Sequence, residues 1–221
     1  VNQYVPSVPQ LQEAALRCRR IGLGIMGLAD LMYHVGIRYG SREGQEFASQ
    51  VLEFVRYQAM QASVELAKTR GPFPAIKGSI YDPEKLTWEP PQPIIAYMND
   101  WGRPPMNWDQ LERDIRQYGI RNAAQTTIAP TGTLSIIAGC SSGIEPLFAL
   151  SFVRTVMDND KLMEVNPVFE KTAKERGFYS PELMNQIARQ GSIHAMEEIP
   201  EDVRRVFVTA HDVSPEWHIR M

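Results

Sequence analysis

Thr126-Thr-Ile-Ala-Pro-Thr-Gly-Thr-Leu-Ser-Ile-Ile-Ala-Gly-Cys-Ser-Ser-Gly-Ile-Glu-Pro146 is the stretch on which the reading of this chain turns. It begins as a short apolar, β-branched run, Thr126 to Ala129, and breaks at Pro130. Thr131, Gly132, Thr133 and Ser135 then crowd together ahead of a second apolar run. That order reads as strand, turn and helix start. Small hydroxylated residues and a glycine in a first helical turn leave several backbone N–H groups free and let an anion come close, and the helix dipole adds partial positive charge there. Phosphate is the guest this chemistry favours. A bare Pro-Thr-Gly-Thr also admits a plainer reading, in which Thr131 or Thr133 only caps the helix.

The rest of the composition sets bounds. With 221 residues, 43% of them hydrophobic and 22% charged, the chain is an ordinary globular one with enough apolar material for a sizeable core. A formal net charge of -3 and a pI near 5.9 give no general attraction to nucleic acid or to an anionic membrane, so an anion site has to be local. The two cysteines, Cys18 and Cys140, form no CxxC pair, which leaves no disulfide framework or zinc signature and fits a cytoplasmic location. No apolar run approaches the roughly 20 residues that span a bilayer. The start, Val-Asn-Gln-Tyr-Val-Pro, has neither a basic nor an apolar leader region and no initiator Met. The end stops just after Ser214-Pro215-Glu216, a helix-start signature, so a fragment of a longer protein is expected.

Working outward from the central stretch, Leu11, Ala15 and Cys18 fall at helical spacing against Gln12, Glu13, Arg17 and Arg20. Ile21-Gly-Leu-Gly-Ile-Met-Gly27 matches the bare GxGxxG pattern, but a helix precedes it where a dinucleotide fold has a strand. Glycine costs about 1 kcal/mol in a helix interior, so a buried strand over 21–26 followed by a helix over Leu28–Val35 is expected. Ser41 caps a long helix with a buried stripe at Phe47, Val51, Phe54, Val55, Ala62 and Leu66, stopped by Gly71-Pro72. The prolines over about 72–107 forbid long regular elements. Tyr81, Trp88, Tyr97, Trp101 and Trp108 punctuate that section, where surface packing is the expected role. A helix over Trp108–Tyr118, a strand over Leu147–Val156, and helices opened by Asn166-Pro167, Ser180-Pro181, Pro200 and Ser214 complete the pattern. Strands alternating with helices imply an α/β fold with a largely parallel sheet.

The central stretch resembles the substrate-phosphate loop of ribonucleotide reductase large subunits, and Ile-Ala-Gly-Cys-Ser-Ser-Gly-Ile-Glu-Pro over 137–146 resembles the adenosylcobalamin-dependent class in particular. Arg19-Arg20-Ile-Gly-Leu-Gly-Ile-Met-Gly-Leu-Ala-Asp30, Asn166-Pro-Val-Phe-Glu170 and Ile199-Pro-Glu-Asp-Val-Arg-Arg-Val-Phe-Val-Thr-Ala-His-Asp212 extend the likeness, which thins between about 75 and 118. The resemblance implies that residues 1–221 are the C-terminal portion of a catalytic α/β barrel, with the 21–26 segment as a barrel strand. It implies that Pro130, Thr131, Gly132, Thr133, Leu134 and Ser135 line the phosphates of a ribonucleoside diphosphate or triphosphate. It further implies adenosylcobalamin as cofactor, a thioredoxin-like reductant, and an N-terminal portion carrying the radical cysteine in an Asn-x-Cys-x-Glu pattern. That pattern is absent here, so no catalytic residue is assigned to this chain and it is not expected to turn over alone.

Other readings stay open at the level of sequence. Cys140 is a redox candidate if a helix N-terminus lowers its pKa, or a small packing residue. Glu145 is either a general base or a carboxylate completing the loop's hydrogen bonds. His194, His211 and His218 lack ligand spacing, and no metal site is expected. The large subunit of the metal-cofactor reductase class, a phosphate-binding module without redox chemistry, and a non-enzymatic piece completing a split protein are the competing functions. The absence of GxxxxGK[ST] counts against a kinase-like nucleotide binder.

Overall fold

The computed structural model describes residues 3–155 and 161–221. Its one parallel strand contact among these residues joins Leu23 to Thr126. Ile21 N donates to Ala124 O (3.0 Å), Leu23 N to Gln125 O (2.9 Å) and Thr127 N to Leu23 O (3.0 Å). This contact accounts for Gly22 and Gly24. A Cβ at Gly22 would lie 2.8 Å from Thr127 Cγ2, and one at Gly24 would lie 3.2 Å from Ala129 Cβ. They permit the two backbones to approach, which is a packing reason rather than a dinucleotide one. The strand expected to be buried over 21–26 is a single bridge with Ile21, Leu23 and Met26 exposed, because their side chains find no cover among the described residues.

Helices dominate the remainder. They are α1 (Pro9–Cys18), α2 (Leu28–Val35), α3 (Arg42–Arg70), α4 (Trp108–Tyr118), α5 (Gly132–Ala138), α6 (Pro167–Glu175), α7 (Pro181–Gln190), α8 (Glu201–Val206) and α9 (Pro215–Arg220). Side-chain caps start several of them. Ser41 Oγ accepts from Gly44 N (2.9 Å), Asn107 Oδ1 from Gln110 N (2.9 Å), Asn166 Oδ1 from Val168 N and Phe169 N (3.0 Å each), and Ser180 Oγ from Leu183 N (3.0 Å). Ser214 occupies its cap position without a side-chain bond. Between Arg70 and Trp108 the regular structure is confined to a 3₁₀ turn, Pro83–Lys85, as the prolines require.

The run Leu147–Val156 does not enter a parallel sheet. Its strand, β1 (Ser151–Thr155), pairs antiparallel with β2 (Lys161–Val165), in the register Ser151 to Val165 through Thr155 to Lys161. A hairpin between two nearby strands closes locally, whereas a parallel partner requires a long crossover. Val156 lies outside the described residues.

The chain divides into two compact units, residues 1–24 with 49–129 and residues 25–48 with 130–221. The first is built on Tyr57, Met60, Val64, Phe73, Tyr81, Trp88, Leu111, Ile115 and Ile120. Tyr81 and Trp88 of the Pro-rich section therefore pack inward, not on the surface as expected. The stripe of α3 also shifts: Tyr57, Met60, Val64 and Ala67 are buried while Ala62 and Leu66 are exposed. A polar pair fixes that face, since Ser63 Oγ donates to Asn122 Oδ1 (2.9 Å) and accepts from Asn122 N (3.0 Å). The second unit's core gathers Tyr33, Leu150, Phe169, Met184, Ile187, Ile193, Ile199 and Phe207. Tyr33 O–H donates to Val208 O at 2.6 Å, and burial, then the charges of Asp30 and Asp212, push that phenol far above its ordinary pKa.

Candidate functional site

The predicted loop lies wholly in the second unit. Pro130 and Thr131 lead into α5, and Thr131 stands at its N-cap in the left-handed region (φ 50°, ψ 22°) without capping the helix with its side chain. That backbone costs a non-glycine residue roughly 1–2 kcal/mol. The side chain is instead turned back: Thr131 Oγ1 accepts from Gly143 N at 2.7 Å. The first turn of α5 is thus left without a side-chain cap, and Gly132, Thr133 and Leu134 are exposed. A Cβ built at Gly132 meets nothing within 4 Å, so the fold itself does not demand glycine there.

Ser135 sits differently from its predicted neighbours. Expected as a donor to phosphate, it is buried, and its Oγ donates to Gly132 O (2.9 Å) and lies 2.9 Å from Ser142 Oγ. It braces the turn from within. Pro130, Thr131, Gly132, Thr133 and Leu134 remain as the accessible face.

A return loop, residues 139–143, closes behind α5, and its anchor is a residue to which the sequence reading gave no role. Asp30, in the first turn of α2, accepts from Ser141 N through Oδ2 (2.6 Å) and from Asn166 Nδ2 through Oδ1 (2.7 Å). Gly27 N also donates to Ser141 O (2.8 Å), so the Ser141 residue is held through both its N–H and its C=O by the start of α2. The carboxylate that completes the loop is therefore Asp30. Glu145, to which sequence gave that role, is exposed. Its charge, after burial, helps push the Tyr39 phenol up to about 12, and Tyr39 O–H donates to Ile144 O (2.8 Å). A signal for Asp30 existed only in its place at the end of the 19–30 motif, because its partners lie 111 and 136 residues away.

For Cys140 the condition attached to the redox reading is not met. This residue follows the C-terminal end of α5, where Gly139 is the C-cap, not the N-terminal end. Burial and the nearby Asp30 charge raise its pKa, which disfavours the thiolate and leaves the reading of a small packing residue. With Ser135, Ile136, Phe152, Glu164 and Asn166 it lines a cavity of about 370 Å³. Two of the histidines take structural places: His218 Nε2 lies 3.2 Å from Ala210 O, and the His211 ring meets Phe148 edge-on at 4.9 Å. No helix among the described residues is long and apolar enough to cross a membrane.

The chain matches the family described as "Ribonucleotide reductase, barrel domain" over residues 1–221. It is 41% identical over 214 residues to the vitamin B12-dependent ribonucleoside-diphosphate reductase of Thermoplasma acidophilum, covering 97% of this chain and 24% of that protein. To the enzyme of the same description from Mycobacterium tuberculosis it is 38% identical over 213 residues, 96% of this chain and 26% of the relative. The ribonucleoside-diphosphate reductase subunit alpha of Chlamydia pneumoniae is 31% identical over 217 residues, 96% of this chain and 21% of that subunit. In structure, the class Id ribonucleotide reductase alpha subunit of Actinobacillus ureae superposes with a TM-score of 0.63 at 22% identity over 93% of this chain and 31% of its own, a likeness of fold. This chain spans about a quarter of the length of the two vitamin B12-dependent relatives. The family match runs from Val1 to Met221 and includes the uncapped turn, so the chain belongs to the ribonucleotide reductase barrel-domain family.

Proposed function

We propose that this chain is the C-terminal portion of the catalytic barrel of a ribonucleotide reductase, and that it holds the substrate by its phosphates at Pro130–Leu134. The observation that carries the reading is the exposed first turn of α5, whose cap residue is turned away by Gly143 N. Its N–H groups and the Thr133 hydroxyl are the donors for a ribonucleoside diphosphate; the Thr131 hydroxyl, already an acceptor, keeps its own hydrogen to donate. Anchoring the nucleotide at its unreactive end orients the ribose toward chemistry that residues outside this chain supply. The relatives' names favour the diphosphate over the triphosphate.

The intact protein is of the adenosylcobalamin-dependent type on this reading, supported by the 137–146 segment and by two vitamin B12-dependent relatives. A corrin brings its own equatorial nitrogen ligands and asks the protein for apolar surface and hydrogen-bond partners. The exposed Ile136, Ile137 and Phe148 meet the first of those requirements. When bound, the cofactor supplies the radical, and a thioredoxin-like protein re-reduces the enzyme. The test is deoxyribonucleotide formation by the intact protein with and without adenosylcobalamin. Cobalamin-dependent product is expected. Product formed only with a second, metal-carrying subunit would assign the other reductase class, and no product under either condition would return the chain to a phosphate-binding module.

A further inference from the structure

We propose that Asp30 is a positioning residue that keeps the phosphate-binding turn open, acting through the return loop on Thr131. The inference rests on the phosphate reading of Pro130–Leu134 and adds to it the residue that makes the turn competent. An acid in the first turn of a helix ordinarily serves its own helix through the dipole. Asp30 does something else, because its two carboxylate oxygens accept from groups outside α2, Ser141 N and Asn166 Nδ2. Gly27 N on Ser141 O completes the grip. Two residues further along, Gly143 N donates to Thr131 Oγ1, and Ser142 Oγ meets Ser135 Oγ. The loop therefore holds the first turn of α5 at both Thr131 and Ser135.

The consequence concerns the anion. A threonine at an N-cap normally adopts an extended backbone and gives its hydroxyl oxygen to the N–H of the second or third helical residue, here Thr133 or Leu134. Thr131 is kept out of that arrangement by its bond to Gly143 and by its left-handed backbone. Without the Asp30 anchor the return loop loosens, Thr131 relaxes to an ordinary cap, and its oxygen occupies the donors that phosphate needs. Asp30 thus acts at a distance, by preventing the helix from capping itself.

The pair Asp30 and Asn166 offers a test by exchange. In D30N the new amide can accept from only one of the two donors and turns its own N–H groups toward the other, so one of the two bonds is lost and the anchor on the loop is weakened. N166D alone places two carboxylates together. The double variant D30N/N166D restores both bonds with the polarity of the pair reversed. The amide introduced at position 30 accepts from Ser141 N through its oxygen and donates through its nitrogen to the carboxylate introduced at position 166, which still caps α6. Binding of cytidine diphosphate and of cytidine to the intact protein is measured by calorimetry for wild type, D30N, N166D, the double variant and Gly132→Leu, with thermal melting alongside. The expected result is a diphosphate affinity lowered about 10-fold or more in each single variant, the size of one lost charge-assisted bond, with cytidine binding unchanged and the double variant within about 3-fold of wild type. If D30N keeps wild-type diphosphate affinity while Gly132→Leu loses it, the role of Asp30 is overturned and the phosphate reading stands. If neither loses it, the phosphate reading fails and this inference with it. Should D30N not fold, the double variant decides: a folded double variant with wild-type diphosphate affinity supports the role, and a folded one that has lost it overturns the role.

Discussion

Thr131 concentrates the physics of the site in one residue. A β-branched side chain in the left-handed region is strained, and the bond from the buried Gly143 N–H to Oγ1 offsets that strain. Thr131→Val keeps the shape and removes the acceptor. It should lower stability by about 1–3 kcal/mol, the cost of a buried unsatisfied donor, measured as a drop in the urea midpoint at unchanged slope. Cys140 gives a second residue-scale prediction. Its pKa is raised, so the thiolate fraction at neutral pH falls below that of a free cysteine. Alkylation followed by peptide mapping should show Cys140 reacting more slowly than a model thiol at about pH 8, with its rate still climbing above the ordinary cysteine range near 8.5. Rates equal to the model thiol would contradict this. At this scale the sequence displayed the loop residues but not their partners. Asp30, Ser141 and Asn166 are brought together by tertiary packing across more than a hundred residues, and no local pattern encodes such a meeting.

At the scale of elements, what could be read depended on whether the determinant was local. Leu28–Val35, the Ser41-capped helix ending before Gly71, and the Asn166-Pro167 and Ser180-Pro181 starts were all readable, because caps, prolines and glycines act within one turn. The strands were not. Hydropathy marks 21–26 and 147–156 as strand-forming but is silent on which partner each takes, and here one gains a single parallel bridge and the other a local hairpin. On α3 the apolar count favoured Ala62 and Leu66, yet the Ser63–Asn122 bonds set the buried face. The strand contact makes its own prediction. Gly22→Ala drives a methyl to 2.8 Å from Thr127 Cγ2 and should cost about 1–3 kcal/mol by overpacking, read from thermal melting. Adding Thr127→Ser, which removes that methyl, should recover most of the loss. A Gly22→Ala protein as stable as wild type would show that the close approach is not what selects glycine.

At the scale of the molecule, two cores carry the chain, one on α3 and α4 and one on α6 to α8, and the uncapped turn belongs to the second unit. The family was readable because the 126–146 stretch and its flanking motifs are long and specific. The two-unit division was not, since it depends on which segments come back together: 49–129 joins 1–24, while 25–48 joins 130–221. The central claim is that the open turn of α5 exists to take phosphate, and Gly132 isolates it. A Cβ there meets nothing within 4 Å, and glycine at the first helical position is not required by the helix, whose interior it would disfavour by about 0.5–1 kcal/mol. The decisive measurement is therefore cytidine diphosphate affinity of the intact protein carrying Gly132→Leu, with its melting temperature taken in parallel. The account predicts a melting temperature equal to or above wild type together with a loss of diphosphate affinity of about 10-fold or more. Unchanged diphosphate affinity in a stable Gly132→Leu protein would contradict it.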